Sequence, residues 1–455
     1  MKYYLAIDIG ASSGRHILGY IKDGVLHTEE LYRFDNSILT TDEGLVWDIE
    51  HLVQEVIVGL KSAHEKGVTP TSVAIDTWGV DYCLLDKEKQ LLSPVFAYRD
   101  PNRQASAELV NSILPHQELY KKTGIQFQPF NTVYQLYHDR VSGKLDNAAY
   151  FMQIPDYIAY RLTGVIQNEY TNATTTSLVN VHTKSWDRDL LNKLGLPDRL
   201  FGELTPPATE IGSLSQDIAE IVGYQTKVIA CPTHDTASAF AAVGHMENSI
   251  ILSSGTWSLI GTEQKTPIVS SASRLKNFTN EGGIEYRFRH LKNIMGMWLL
   301  QSVRKEIGKI YSYNEMMEMA SQSTFDQTFD VNHPSLSAPS SMINAITLLL
   351  GKENLPLGDL LASIYKSLAN SYKNATEEIT SITGKTYHVL QIVGGGSSDT
   401  YLNQLTKEAT GLRIFTGPKE GTSLGNLASQ ILCDTSLTLS QVREIVQKSC
   451  SIHEI

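Results

Sequence analysis

Three short stretches of this 455-residue chain gather residue types that can do chemistry together. The first, VIACPTHDTASAFAAVG (228–244), sets His234, Asp235 and Thr236 between an apolar, strand-like run and an alanine-rich run of good helix propensity. A carboxylate held at such a junction accepts a hydroxyl proton as a phosphoryl group is transferred. An aspartate at a helix start is also an ordinary cap, but a cap gives no role to the adjacent His234 or to the small residues that admit a ligand. The second stretch, DIGASSGR (Asp8 to Arg15), puts small residues and two hydroxyls where two strands meet. Glycine lets backbone approach a ligand closely, and successive N–H groups in such a turn form a concavity suited to phosphate oxygens. A plain hairpin turn is the equal alternative for this segment. Gly10, Ser12 and Gly14 also fit the G-x-S-x-G pattern of a hydrolase elbow. That elbow requires a strand-to-helix turn, and RHILGYI reads as strand. The third stretch, IVGGGSSDTYLNQL (392–405), has three glycines between a strand and a helix, with Ser398 or Asp399 as cap. Helix amino termini carry unpaired N–H groups and partial positive charge, so a nucleotide can lie there without a lysine.

Bulk properties limit what these stretches serve. The formal charge of -11 argues against a nucleic-acid or membrane-surface binder, so any anion must be held by local groups, of which Arg15 is one. Cys83, Cys231, Cys433 and Cys450 show no C-x-x-C spacing and indicate neither a zinc site nor a disulfide framework. The amino terminus lacks the pattern of a signal peptide, and no apolar run reaches the ~18 residues of a membrane span. A cytoplasmic location is expected. Walker, G-x-G-x-x-G and protein-kinase catalytic-loop motifs are absent from the sequence, so a nucleotide enzyme would use another fold.

The elements that must position these residues follow from periodicity. YLAIDIG, RHILGYI and GVLHTEELYRF read as three consecutive strands separated by turns. Ile49, Leu52, Val53, Val56, Ile57, Leu60 and Ala63 recur at helical spacing within 47–66, with Asp48 as cap and Gly67 as stop. SVAIDTWGVDYCLLD returns to strand character, giving an α/β unit with a mixed sheet. Near residue 250 the chain begins again: IILSSGTWSLIG has the shape of LAIDIGASSGRHILG. A long amphipathic helix is expected from Leu357 to about Ile382, ended by Gly384. Length and this repeat predict two domains, 1–246 and 247–455, facing each other across a cleft with no low-complexity linker.

The motifs DIGASSGR, IDTWGVDYCLLD, THDTASAFAAV, LSSGTWSLIG, NIMGMWLLQ and VGGGSSDTYLNQLTKEATGL occur in order between residues 8 and 412. In this the chain resembles the FGGY carbohydrate kinases, the family that includes glycerol kinase, xylulokinase and fuculokinase. The resemblance implies an α/β fold of two actin-like, ribonuclease-H-like domains with an interdomain cleft. It implies ATP and Mg²⁺ as cofactors, a small ketose as substrate, and transfer of the γ-phosphoryl group to a sugar hydroxyl. By motif, Asp235 is similar to the family's general base. His234, Thr236, Gly79 and Asn293 resemble sugar contacts, with Trp78 and Asp81 shaping the pocket, while Trp78, Trp257 and Trp298 are equally readable as core. Ala11, Ser12, Ser13, Gly14 and Arg15 match a first phosphate turn and Thr256 a second, while Gln301 and Gly395 resemble nucleotide contacts. Asp8 resembles the acidic residue that organises the metal, through water. Ala11 stands where many relatives carry threonine, and the spacing of Arg99 and Arg103 departs from the family's arginine pattern, so neither arginine is given a sugar contact. Oligomeric state is not indicated. A kinase for another ketose, and an actin-like ATPase acting on a protein partner, remain open at this point.

Overall fold

A computed structural model describes residues 1–243, 248–450 and 452–455. The expected boundary between residues 246 and 247 lies outside the described residues. The chain forms two compact units, one of Met1–Gly244, Glu263–His290 and Gly421–Ser449, the other of His245–Thr262, Leu291–Glu420 and Cys450–Ile455.

In the first unit, the three opening strands are β1 (Tyr3–Ile9), β2 (Ser13–Lys22) and β3 (Val25–Asp35). Helix α1 (Ile49–Glu65) follows, and Asp48 caps it by accepting the His51 N–H. Then come β4 (Ser72–Thr77), β5 (Thr209–Ser213), β6 (Lys227–Ala230) and helix α2 (Asp235–Ala242). The strands form a sheet in the order β5-β6-β4-β1-β2-β3. β1 and β2 are antiparallel with Asp8 opposite Arg15, and β4 runs parallel to β1 with Asp76 beside Asp8. This register sets two carboxylates and one guanidinium at the same end of three neighbouring strands. The apolar face of α1 (Leu52, Val53, Val56, Leu60) buries against Leu5, Ile7, Val73 and Ile75. Burial of each such side chain stabilises the unit by about 1.5–3 kcal/mol.

The second unit restates the motif. Strands β7 (Ser249–Ser254) and β8 (Trp257–Gln264) form an antiparallel hairpin. Helix α3 (Leu357–Thr383) ends at Gly384, whose φ of +65° is left-handed. Strand β9 (Val389–Val393) then pairs parallel with β7, as β4 does with β1. Helix α4 (Thr400–Thr410), strand β10 (Arg413–Thr416) and strand β11 (His453–Glu454) follow, and the strands Thr279–Gly282 and Phe288–Met295 extend the same sheet beyond β8. β10 is parallel to β9, and β11 antiparallel to β10. A hairpin with a parallel strand on one side, present in both units, is the ribonuclease-H-like, actin-like arrangement.

Candidate active site

The approach to Asp235 is built from strand exits. Beyond β6, Thr233 O accepts the Thr77 N–H at 2.9 Å, which ties the segment to the end of β4. The buried Glu169 carboxylate accepts Thr233 N–H at 3.2 Å and its hydroxyl at 2.8 Å. His234 occupies the cap position of α2 with φ −82° and ψ 122°, and its side chain makes no capping bond. Asp235 is therefore the first helical residue. Its side chain is 34% exposed, with Oδ1 2.5 Å from Thr236 N, 3.0 Å from Thr236 Oγ1 and 3.4 Å from His234 Nε2. No donor among the described residues reaches Oδ2. One oxygen is thus committed to its own surroundings and the other is open to a substrate proton. Burial raises the carboxyl from its ordinary value and Asp8 adds to this, while His234 and Thr236 oppose it. Behind the site, α2 meets the helix Gly421–Asp434 so closely that a Cβ on Gly425 would lie 1.7 Å from Ser238 O.

Asp8 and Arg15 meet as the register requires: Arg15 Nη2 and Nε donate to Asp8 Oδ2 at 2.7 and 3.0 Å, and Ser423 Oγ is 3.4 Å away. Asp76 is fully buried, with Asn426 Nδ2 on its Oδ2 at 2.6 Å and Oδ1 without a partner. Burial first, and then Asp8, push its carboxyl well up. The Ala11–Gly14 turn links strand to strand, which removes the hydrolase elbow. Gly10 N–H donates to Ser13 O at 2.8 Å and Asn36 N–H to Ser12 O at 3.1 Å, leaving Ala11 and Ser12 exposed. Gly14 has a packing reason of its own, since a Cβ there would come within 2.1 Å of the Phe34 ring.

Gly79 follows β4, where a Cβ would sit 3.1 Å from Thr175 Cγ2. The next residue, Val80, has φ +70°, a strained conformation for a β-branched side chain. Thr175 Oγ1 on its N–H and Thr132 Oγ1 on its carbonyl hold it there, at 3.2 and 2.7 Å. Trp78 and Asp81 are buried, and Asp81 Oδ2 accepts the indole N–H of Trp47 and of Trp78 at 2.7 and 2.9 Å. Burial pushes Asp81 up to about 6. Arg103 is committed to a buried ion pair with Asp139 at 2.6 Å and to Tyr82 Oη at 2.7 Å.

Within the second unit, the turn between β7 and β8 is fixed to the start of the helix Trp298–Glu306 by Met297 N–H on Gly255 O at 2.9 Å and Trp298 N–H on Thr256 O at 3.2 Å. Thr256 Oγ1 and Gln301 Oε1 are 3.5 Å apart as a result. The glycine turn lies beside the same hairpin, because a Cβ on Gly396 would meet Ser254 Oγ at 2.0 Å. Gly395 faces open space, and Asp399 is the residue that caps α4, accepting Leu402 N–H at 2.9 Å. Asn293, on the strand Phe288–Met295, has a buried Oδ1 without a partner, and no hydrogen bond among the described residues joins it to Thr256, Gln301 or Gly395.

Four residues near the first-unit site escaped the sequence reading: Asp76, Asn426, Glu281 and Arg289. Asp76 stood inside the quoted IDTWGVD, where its pairing with Asp8 depends on strand register. Glu281 and Arg289 belong to NEGGIEYRFRH, where each is a charge on a buried stretch of strand, Thr279–Gly282 and Phe288–Met295, and that was the available signal.

The repeated hairpin defines an actin-like, ribonuclease-H-like fold, with an acidic site at the strand ends of its first unit. The model of the FGGY family of carbohydrate kinases, N-terminal domain, matches residues 3–244, and that of the C-terminal domain matches 250–432. The chain belongs to the FGGY family of carbohydrate kinases. It is 41% identical to a rhamnulokinase of Oceanobacillus iheyensis over 99% of this chain and 97% of that protein. To the rhamnulokinase of Bacillus subtilis it is 38% identical, over 99% and 94%. Among solved structures, the ligand-bound xylulose kinase from Lactobacillus acidophilus superposes with a TM-score of 0.83 at 16% identity, covering 100% of this chain and 93% of that one. Plasmodium falciparum glycerol kinase with ADP gives 0.79 at 15% identity, covering 99% and 94%. At these identities the structures share the fold.

Proposed function

We propose that this chain transfers the γ-phosphoryl group of ATP to the 1-hydroxyl of L-rhamnulose, giving L-rhamnulose 1-phosphate and ADP, in the cytoplasmic breakdown of L-rhamnose. The relatives named rhamnulokinase support the choice of ketose. The observation that carries the chemistry is the division of labour on Asp235, with Oδ1 met by donors and Oδ2 open. Oδ2 takes the proton of the sugar hydroxyl, the sugar oxygen forms a bond to the γ-phosphorus, and the bond to the bridging oxygen of ADP breaks. His234, Thr236, Gly79 and Asn293 bind the sugar. The turn of Ala11, Ser12, Ser13 and Gly14, with Arg15 and Thr256, holds phosphates, and Gln301 and Gly395 hold the rest of the nucleotide. The first unit carries Gly79, His234, Thr236 and the first phosphate turn, and the second carries Asn293, Thr256, Gln301 and Gly395.

Among the described residues, no group of three or more His, Cys, Asp or Glu could cage a metal. That fits Mg²⁺, which keeps most of its waters and is bound by one or two carboxylates together with substrate phosphates. Asp8 would hold it through water, and the ion would offset phosphate charge. The test is Asp235→Asn, which is expected to bind ATP as before while kcat falls at least ~100-fold, the low end for a general base. Near-normal turnover would make Asp235 a helix-end residue and overturn the reading.

A further inference from the structure

His234 sits between Asp235 and two buried charges to which the reading above gives no role. Its Nε2 is 3.4 Å from Asp235 Oδ1. On the other side, Nδ1 is 3.1 Å from Arg289 Nη2 and 3.2 Å from Glu281 Oε2. Arg289 and Glu281 are 1% and 7% exposed and pair at 2.9 Å, and Arg289 Nε donates to Gly282 O at 3.0 Å. A guanidinium can only donate. Its contact with Nδ1 has hydrogen-bond alignment, and Glu281 Oε2, the competing acceptor 3.2 Å from Nδ1, is already paired with the same guanidinium at 2.9 Å. Nδ1 must therefore accept, and the single proton of a neutral imidazole falls on Nε2, towards Asp235. Arg289 Nη1 is buried without a partner.

We propose that Arg289, neutralised and held by Glu281, is a positioning residue that fixes His234 as the Nε2–H tautomer. The ring then turns its N–H towards Asp235 Oδ1, 3.4 Å away and already held by Thr236, and leaves Oδ2 to receive the sugar proton. The catalytic consequence rests on Asp235 being the base, while the tautomer does not.

The test is long-range ¹⁵N–¹H correlation on the full chain labelled with ¹⁵N-histidine, with His234 assigned by the signal lost in His234→Gln. The wild-type protein at neutral pH is expected to show His234 protonated on Nε2 alone. In the double variant Glu281→Gln/Arg289→Met, which removes both charges together so that neither is stranded, that preference is lost. Its kcat then falls about tenfold, the low end for a hydrogen bond to a charged group, with KM for ATP unchanged. A wild-type ring protonated on Nδ1, or on both nitrogens, overturns the proposal whether or not the double variant folds. So does a double variant that keeps the Nε2–H signal, or one that loses it with kcat intact. An active Asp235→Asn with the Nε2–H signal present would instead remove the base assignment and leave the tautomer standing.

Discussion

Acidification should destabilise this protein through His16, and the size of the effect can be worked from its surroundings. The residue lies on β2 and is fully buried, with Nε2 3.2 Å from Val56 O and Nδ1 unpartnered. Its ring covers Gly59 of α1, where a Cβ would come within 2.2 Å. Desolvation pushes its pKa from 6.5 down to about 4, with the Val56 carbonyl opposing. A folded-state value below the unfolded one means that the unfolded chain takes up the proton first. The contribution is therefore complete above pH 6.5 and drains away as pH falls towards 4. A drop of this size amounts to about 3 kcal/mol in full and about 2 kcal/mol at pH 5. Asp76 and Asp156, pushed up by burial, act in the opposite sense, so the wild-type curve alone does not isolate the histidine. The assay is urea unfolding at pH 7 and pH 5 for wild type and His16→Leu. The stability lost between the two pH values should be smaller by about 2 kcal/mol in the variant, whatever its stability at pH 7. An equal loss in both proteins would refute the claim that the buried ring stays neutral.

Gly425→Ala forces a methyl group to within 1.7 Å of the Ser238 carbonyl, which belongs to backbone and cannot rotate away. It should cost about 3 kcal/mol, the upper end for overpacking, and lower the calorimetric Tm. Gly79→Val crowds Thr175, whose hydroxyl holds Val80, so KM for the ketose should rise while KM for ATP is unchanged in steady-state kinetics.

Much of this was legible because it is local. The apolar spacing and Asp48 gave α1 with its cap, and Gly384 marked the end of α3. The His-Asp-Thr stretch stood out because a charge interrupts apolar letters. Arg15, read as a charge for phosphate, is bound to Asp8, a pairing set by β1–β2 register that no local pattern states. Gly14, read as room for a ligand, is also room for Phe34 across the β2–β3 pair. The return of 263–290 and 421–449 to the first unit left no trace in the sequence reading, because re-entry shows only through contacts between distant segments. For the same reason Glu281 and Arg289, which meet His234 only in the folded chain, were missed.

The most direct measurement is ADP production with ATP and Mg²⁺, with and without L-rhamnulose and beside L-fuculose and D-xylulose. L-rhamnulose should stimulate turnover most and yield the 1-phosphate. ADP release that no sugar accelerates, or that another ketose accelerates more, would contradict the account.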